Sequence, residues 1–203
     1  MKKSEKTKRQ LASVLKDLMV LKPLEKISIQ EVMEKAQLNR QTFYYHFEDI
    51  YDLLKWTLER EAIELLDDYK DESLWQEGYR DIILYLEKNR AFALNAINSM
   101  GHEHFNRFFH QEIYSIIEDF VKQIAEMCQE MEKKYLSFVT HFFTVSITAV
   151  TISWLQGELD FSVEELIQMV DRFLSDHLEG TKTLYGVILA VSRQLIKEKE
   201  VLL

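Results

Sequence analysis

Apolar residues recur along most of this chain at intervals of three and four, the spacing of one face of an α-helix. Within residues 4–21, Leu11, Val14, Leu15, Leu18 and Met19 share one face and lysines occupy the other. Lys22-Pro23 stops that helix, because a residue before proline is pushed out of the helical region. Ser28-Ile-Gln-Glu31 has the form of a capping box and opens a short helix with Ile29, Val32, Met33 and Ala36 inward. Gln37-Leu38-Asn39 then leads into another helix, for which Asn39 is a good N-cap.

The stretch NRQTFYYHF (39–47) is ambiguous by itself, since Phe, Tyr and Thr are good strand formers. As a strand it would put Phe43, Tyr45 and Phe47 on one face and Thr42, Tyr44 and His46 on the other. As a helix it brings Phe43 and Phe47 together on an inner face, with Gln41 and Tyr45 nearly opposite and Thr42 and Tyr44 flanking. Its capped helical neighbours favour the helix.

Glu48-Asp49 can start a fourth helix carrying Ile50, Leu53, Leu54, Leu58, Ala62, Leu65 and Leu66, running to about Tyr69. Ser73-Leu-Trp-Gln76 resembles a further capping box, followed by Ile82, Ile83 and Leu86 in phase. Residues 89–101 read as a short helix or pair of turns, and 102–131 as one long helix. A second long helix carries Tyr135, Leu136, Val139, Phe142, Phe143, Ile147, Val150, Trp154 and Leu155 and ends near Gly157. Ser162-Val-Glu-Glu165 caps a last one, with Val163, Leu166, Ile167, Val170, Phe173, Leu174 and Leu178, stopped by Gly180. The pattern predicts an all-α chain of about nine helices. Residues 181–203 are either a tenth helix or a poorly ordered extension.

Composition agrees with the pattern. One Pro and five Gly in 203 residues leave too few breakers for the turns of a sheet protein. The single Cys128 excludes an intrachain disulfide and fits a reducing compartment, as a small apolar residue of its helix. MKKSEKTKRQ is basic but lacks the apolar stretch of a signal peptide. The apolar run LYGVILAV has eight residues, against the roughly 20 that span a bilayer. A cytoplasmic protein with no membrane partner is the expectation.

Charge sharpens the picture. The net charge is −9, yet residues 1–47 hold ten Lys/Arg against five acids, a net of +5. The other 156 residues carry 15 basic and 29 acidic side chains, a net of −14. A basic module on an acidic body fits this, and so does ordinary fluctuation of surface charge. Two short helices joined by a tight turn form a helix-turn-helix, whose second helix enters the DNA major groove. Arg40 and Gln41 can donate to base edges, Thr42 can bond a phosphate or touch a thymine methyl, and tyrosine hydroxyls can reach phosphates. The same motif also serves as scaffold, so the alternative is an all-helical ligand- or protein-interaction module.

Catalytic and metal chemistry find no foothold. GHEHFNRFFHQE (101–112) gathers His102, His104 and His110, but their spacing forms no H-E-x-x-H, since position 106 is Asn. No Glu stands three residues before any histidine, as a di-iron helix requires. G-x-G-x-x-G, G-x-S-x-G and P-loop patterns are absent. We expect no enzyme, no metal site and no cofactor.

ISIQEVMEKAQLNRQTFYYHFEDIYDLL resembles the DNA-binding domain of the TetR/AcrR family of transcriptional regulators. Ala36, Leu38, Asn39, Thr42, Phe43, Tyr44, His46, Phe47, Leu53 and Leu54 stand at matching places of its T-(L/F)-Y-x-H-F core and following x5-L-L. R-Q-T-F-Y-Y-H-F with D-L-L-x-W is also similar to a subgroup that regulates dihydroxyacetone-kinase operons. Three positions depart: Gln37 for the turn glycine, Gln41 for a frequent glycine of the recognition helix, and Ile50 for a lysine that contacts phosphate. The resemblance implies a helix-turn-helix domain over residues 1–48, a helical effector-binding and dimerisation domain over 49–180, and an extension over 181–203. It implies contacts to a palindromic double-stranded operator from Ser28, Gln30, Arg40, Gln41, Thr42, Tyr44, Tyr45 and His46, with Phe43 and Phe47 packed inside. It further implies a homodimer through residues 135–155 and 163–178. A small-molecule effector or a protein co-regulator would act on the body, where Phe105, Phe109, Phe142 and Trp154 are the pocket candidates.

Overall fold

The computed structural model describes residues 3–66, 75–99 and 133–177, the helical pairs 113–114, 117–118 and 121–122, and residue 180. Eight helices and no strand occur among them: α1 (Lys3–Leu21), α2 (Ile29–Ala36), α3 (Arg40–His46), α4 (Ile50–Leu58), α5 (Trp75–Lys88), α6 (90–99), α7 (Lys133–Gln156) and α8 (163–177). The expected Ser73 cap, most of the helix at 102–131 and the extension at 181–203 lie outside the described residues.

Local chemistry sets the boundaries. α1 stops at Leu21, two residues before Pro23, as the proline requires. Asp49 caps α4 by accepting from the Asp52 N–H at 2.8 Å. Ser162 and Glu165 form the full capping box ahead of α8: Glu165 N–H donates to Ser162 Oγ at 3.2 Å, and Ser162 N–H to Glu165 Oε2 at 2.8 Å. Hydrogen bonding from the Ser162 backbone N–H, then from its side chain, holds the Glu165 carboxyl below its ordinary range. At Ser28 only half of the expected box forms. Ser28 Oγ accepts from Glu31 N–H at 3.1 Å, but the Glu31 carboxylate turns away to Lys22 Nζ at 2.6 and 2.8 Å. Gly157, with φ at +82°, ends α7, where the Glu158 N–H reaches back to Ser153 O at 2.9 Å.

The single helix expected from Glu48 to Tyr69 is interrupted. Its α-helical part ends at Leu58 and passes into a π turn at Glu59–Ile63 and a 3-10 turn at Glu64–Leu66. Within that π turn Glu61 pairs with Lys16 of α1 and accepts from the Tyr85 hydroxyl at 3.2 Å. Burial and the Glu61 carboxylate push the Tyr85 phenol well above its usual range, so it stays a proton donor here. One apolar core runs through the molecule, from Leu11, Leu15 and Met19 of α1 through Leu53 and Leu54 to Ile83, Phe92, Phe143, Leu155 and Leu174. It carries the three N-terminal helices on the body.

Candidate nucleic-acid interface

The turn between α2 and α3 is closed by Gln37 in the left-handed conformation, φ 56° and ψ 39°. Leu38 N–H returns to Met33 O at 3.0 Å and Gln37 N–H to Glu34 O at 3.1 Å, satisfying carbonyls that the helix end leaves open. A side chain at positive φ costs about 1 kcal/mol relative to glycine. Gln37→Gly is therefore expected to stabilise the protein by up to about 1 kcal/mol and raise Tm by roughly 2–4 °C, read by thermal unfolding.

Asn39 opens α3. Its Oδ1 accepts from both the Thr42 N–H and the Thr42 hydroxyl, each at 2.9 Å. The hydroxyl proton is spent on this cap, so Thr42 offers an outside partner its lone pairs and its methyl. Phe43 and Phe47 are fully buried, their rings 5.8 Å apart, and Phe47 meets the Trp56 ring edge-on at 5.9 Å. The helix reading of 39–47 holds, with both phenylalanines inward.

The side chains left outside are those the sequence nominated. Tyr45 is 81% exposed and Tyr44 50%; Arg40 and Gln41 are exposed, and Thr42 and His46 half-buried. The Arg40 guanidinium lies 5.6 Å above the Tyr44 ring and donates to its hydroxyl at 3.0 Å. Arg40 is thereby held against α3 with most of its five donors still outward. Tyr45 packs edge-on against His46 at 4.9 Å. Burial, then the nearby Lys8 cation, hold the His46 pKa below its usual value, so it is neutral at pH 7. On α2, Ser28 is exposed and retains its hydroxyl proton while accepting from Glu31; exposed Gln30 donates to Glu34 at 2.8 Å.

The family of TetR C-terminal regions, described as transcriptional regulator C-terminal region, matches residues 73–176. The HTH-type dhaKLM operon transcriptional activator DhaS of Lactococcus lactis subsp. lactis (strain IL1403) is 31% identical over 153 residues, 74% of this chain and 80% of that protein. This chain belongs to the TetR family of transcriptional regulators. A solved dihydroxyacetone kinase operon activator DhaS superposes with a TM-score of 0.70 at 26% identity, covering 85% of this chain and 96% of that one. A TetR-family regulator from Streptomyces coelicolor shares the fold, with a TM-score of 0.57 at 14% identity over 97% of this chain and 98% of that one.

Within the TetR frame, Ile50 is half-buried against the core, so the departure from lysine there exchanges a charge for packing. Of the four aromatics expected at a pocket, Phe105 and Phe109 lie outside the described residues. Phe142 is 42% exposed, and Trp154 is buried with its indole N–H on Phe161 O at 2.8 Å. A cleft of about 430 Å³ between α1 and the α5–α6 corner is lined by Lys16, Glu61, Lys88, Asn89 and Phe92, and by neither Phe142 nor Trp154. His102, His104 and His110 also lie outside the described residues, among which no group of three His, Cys, Asp or Glu side chains could hold a metal.

Two features were not read from the sequence. Lys8 Nζ lies 5.1 Å above Phe47 and 5.5 Å above Trp56, bringing a cation from α1 beside the end of α3. Thr148 Oγ1 is buried in α7 without a hydrogen-bond partner, one turn before Thr151, which shares a 3.1 Å hydrogen bond with Tyr79. An unpaired buried hydroxyl costs about 1–3 kcal/mol. Thr148→Val is expected to raise Tm in a melting experiment, since it removes that cost and keeps the branched shape.

Proposed function

We propose that the protein is a homodimeric, sequence-specific regulator that places α3 of each copy in the major groove of a palindromic operator. The observation that carries this reading is the outward set Arg40, Gln41, Tyr44 and Tyr45 standing on a helix anchored by buried Phe43 and Phe47. Arg40 and Gln41 read base edges, and Tyr45 and the Thr42 methyl add groove contacts. Ser28 and Gln30 of α2, with Tyr44 and neutral His46, bind phosphates and set the register. Residues 1–48 are the reading head and 49–180 the regulated body. Residues 181–203 remain an extension with no role assigned.

The second copy docks on α7 and α8. Tyr135, Phe138, Phe142 and Val145 are 39–62% exposed and follow the three-four spacing of a helix-packing seam. Met169 and Phe173 of α8 extend it at 54% and 50% exposure, with the Phe173 ring 6.4 Å from Phe143. By length and composition alone α7 could cross a membrane. Its place in a TetR-type body and its buried Thr140, Phe143, Thr144, Trp154 and Leu155 support a protein-protein seam instead. A small-molecule effector or a protein co-regulator acts on the body, where the Phe105, Phe109, Phe142 and Trp154 set and the unpaired Thr148 hydroxyl are the candidate contacts. The two DhaS relatives are activators by name, which supports the same sign of control here.

The test is titration of the full-length protein against its own promoter DNA and an unrelated duplex at two salt concentrations. Promoter binding should be specific at both and weaken steeply with salt. Equal affinity for the two duplexes, or none at low salt, returns the chain to the scaffold-only alternative. A reporter placed downstream should lose expression when the regulator gene is deleted; a gain would reverse the sign.

A further inference from the structure

Pro23 leaves a defect at the end of α1, and the body repairs it. The ring nitrogen of Pro23 carries no hydrogen, so the Met19 carbonyl four residues earlier loses its in-helix donor. The Lys22 carbonyl finds none in the following turn either, where Lys26 N–H goes to Pro23 O at 3.0 Å and Ile27 N–H to Leu24 O at 2.9 Å. Both carbonyls are taken by one side chain of α6. Asn95 Nδ2 donates to Met19 O and to Lys22 O, each at 2.7 Å. Its Oδ1 accepts from Leu24 N–H at 3.2 Å and from the Ser99 hydroxyl at 2.9 Å.

A carboxamide has two N–H donors and two acceptor lone pairs, and here all four are used. The reversed orientation would set its oxygen against two carbonyls, so the network fixes which way it faces. The joint it grips is the point where α1 turns toward α2, with Leu24 fully buried beside it. A second tie lies one turn back on α1. Lys16 pairs with Glu61 and sits 5.5 Å over the rings of Tyr85 and Phe92, which belong to α5 and α6.

We propose that Asn95 is a positioning residue that fixes the angle at which the helix-turn-helix leaves the body, and so sets the half-site spacing that the dimer accepts. The inference rests on the dimeric operator-binding function proposed above. A shift of α6 moves three bonds to the head at once, so the joint couples the body's conformation to the distance between reading heads.

The test starts from the operator that the wild-type, full-length protein selects from a random duplex library, and then varies its centre by single base pairs. Wild type should lose roughly tenfold in affinity at each misspaced operator, because rigid heads fit one separation. Asn95→Leu, of similar size without donors or acceptors, should remain a dimer and bind an isolated half-site as wild type does. Its spacer penalty should flatten to roughly two- to threefold. Pro23→Ala combined with Asn95→Leu returns an N–H to the Met19 carbonyl without retying head to body. The double variant should regain Tm while its spacer profile stays flat, and it supplies the comparison if Asn95→Leu does not fold. Spacer discrimination that returns together with Tm makes the amide a cap only and overturns the proposal. So does a wild-type profile in Asn95→Leu. A wild-type protein that selects no two-fold site overturns the parent function, and the inference with it.

Discussion

Replacing Gln41 and Tyr45 together by alanine is expected to abolish discrimination between operator and unrelated DNA. Each good contact to a base is worth about 1–3 kcal/mol, so losing two should cost roughly two to four orders of magnitude in operator affinity. The fold should not notice. Tyr45 is 81% exposed and its ring meets His46 edge-on, while Gln41 is exposed on the same helix. Truncation at such positions usually changes stability by less than about 0.5 kcal/mol. Circular dichroism and sedimentation should therefore match wild type.

The salt dependence of the residual binding separates reading from docking. Contacts from Ser28, Gln30 and Tyr44 to phosphates remain in the double variant, so the slope of affinity against salt should change little. Tyr44→Phe, by contrast, should weaken binding to all sequences alike, since it removes a phosphate contact and also frees Arg40 from its 3.0 Å hydrogen bond. Wild-type discrimination in the Gln41/Tyr45 variant would move sequence reading elsewhere on the molecule. That result would leave α3 as scaffold.

The N-terminal helices were legible because their signals are local. Pro23, Ser28, Asn39 and Asp49 act within four residues of themselves, and the capped helices on either side of 39–47 favoured helix over strand there. The demand for a left-handed residue at Gln37 was also visible, because glycine is the residue that position favours. What could not be read was who meets whom across the chain. Glu31 had a capping role on paper, but a lysine nine residues earlier took its carboxylate. The π turn at Glu59–Ile63 has no local marker; Glu61 within it is matched to Lys16 and Tyr85, which are distant in sequence. Asn95 is the clearest case. Pro23 announced a missing donor, but nothing in the pattern said that an amide 72 residues later would supply it. Phe142 and Trp154 looked equivalent as aromatic members of one helix, yet the first lies on the open seam and the second in the core.

That seam yields the other large effect. Phe138→Asp is expected to convert the protein to monomers at micromolar concentration, because a two-fold interface would bury the new carboxylate twice, once from each copy. An uncompensated buried charge costs several kcal/mol per ion, more than the margin of most dimers. Phe138 is 62% exposed and, among the described residues, stacks on Phe142 at 6.2 Å, so the isolated fold should tolerate the change. Operator affinity should fall by roughly 100- to 10,000-fold, the gain that linking two binding sites provides, while binding to a single half-site is kept. Leu84→Asp is the control: Leu84 is an exposed apolar residue at 43% on α5, outside the proposed α7–α8 stripe, and its replacement should leave both mass and affinity unchanged. Sedimentation of the two variants decides the matter. A Phe138→Asp protein that stays dimeric, or a Leu84→Asp protein that dissociates, would place the interface on a different face and leave the α7–α8 stripe without its second copy.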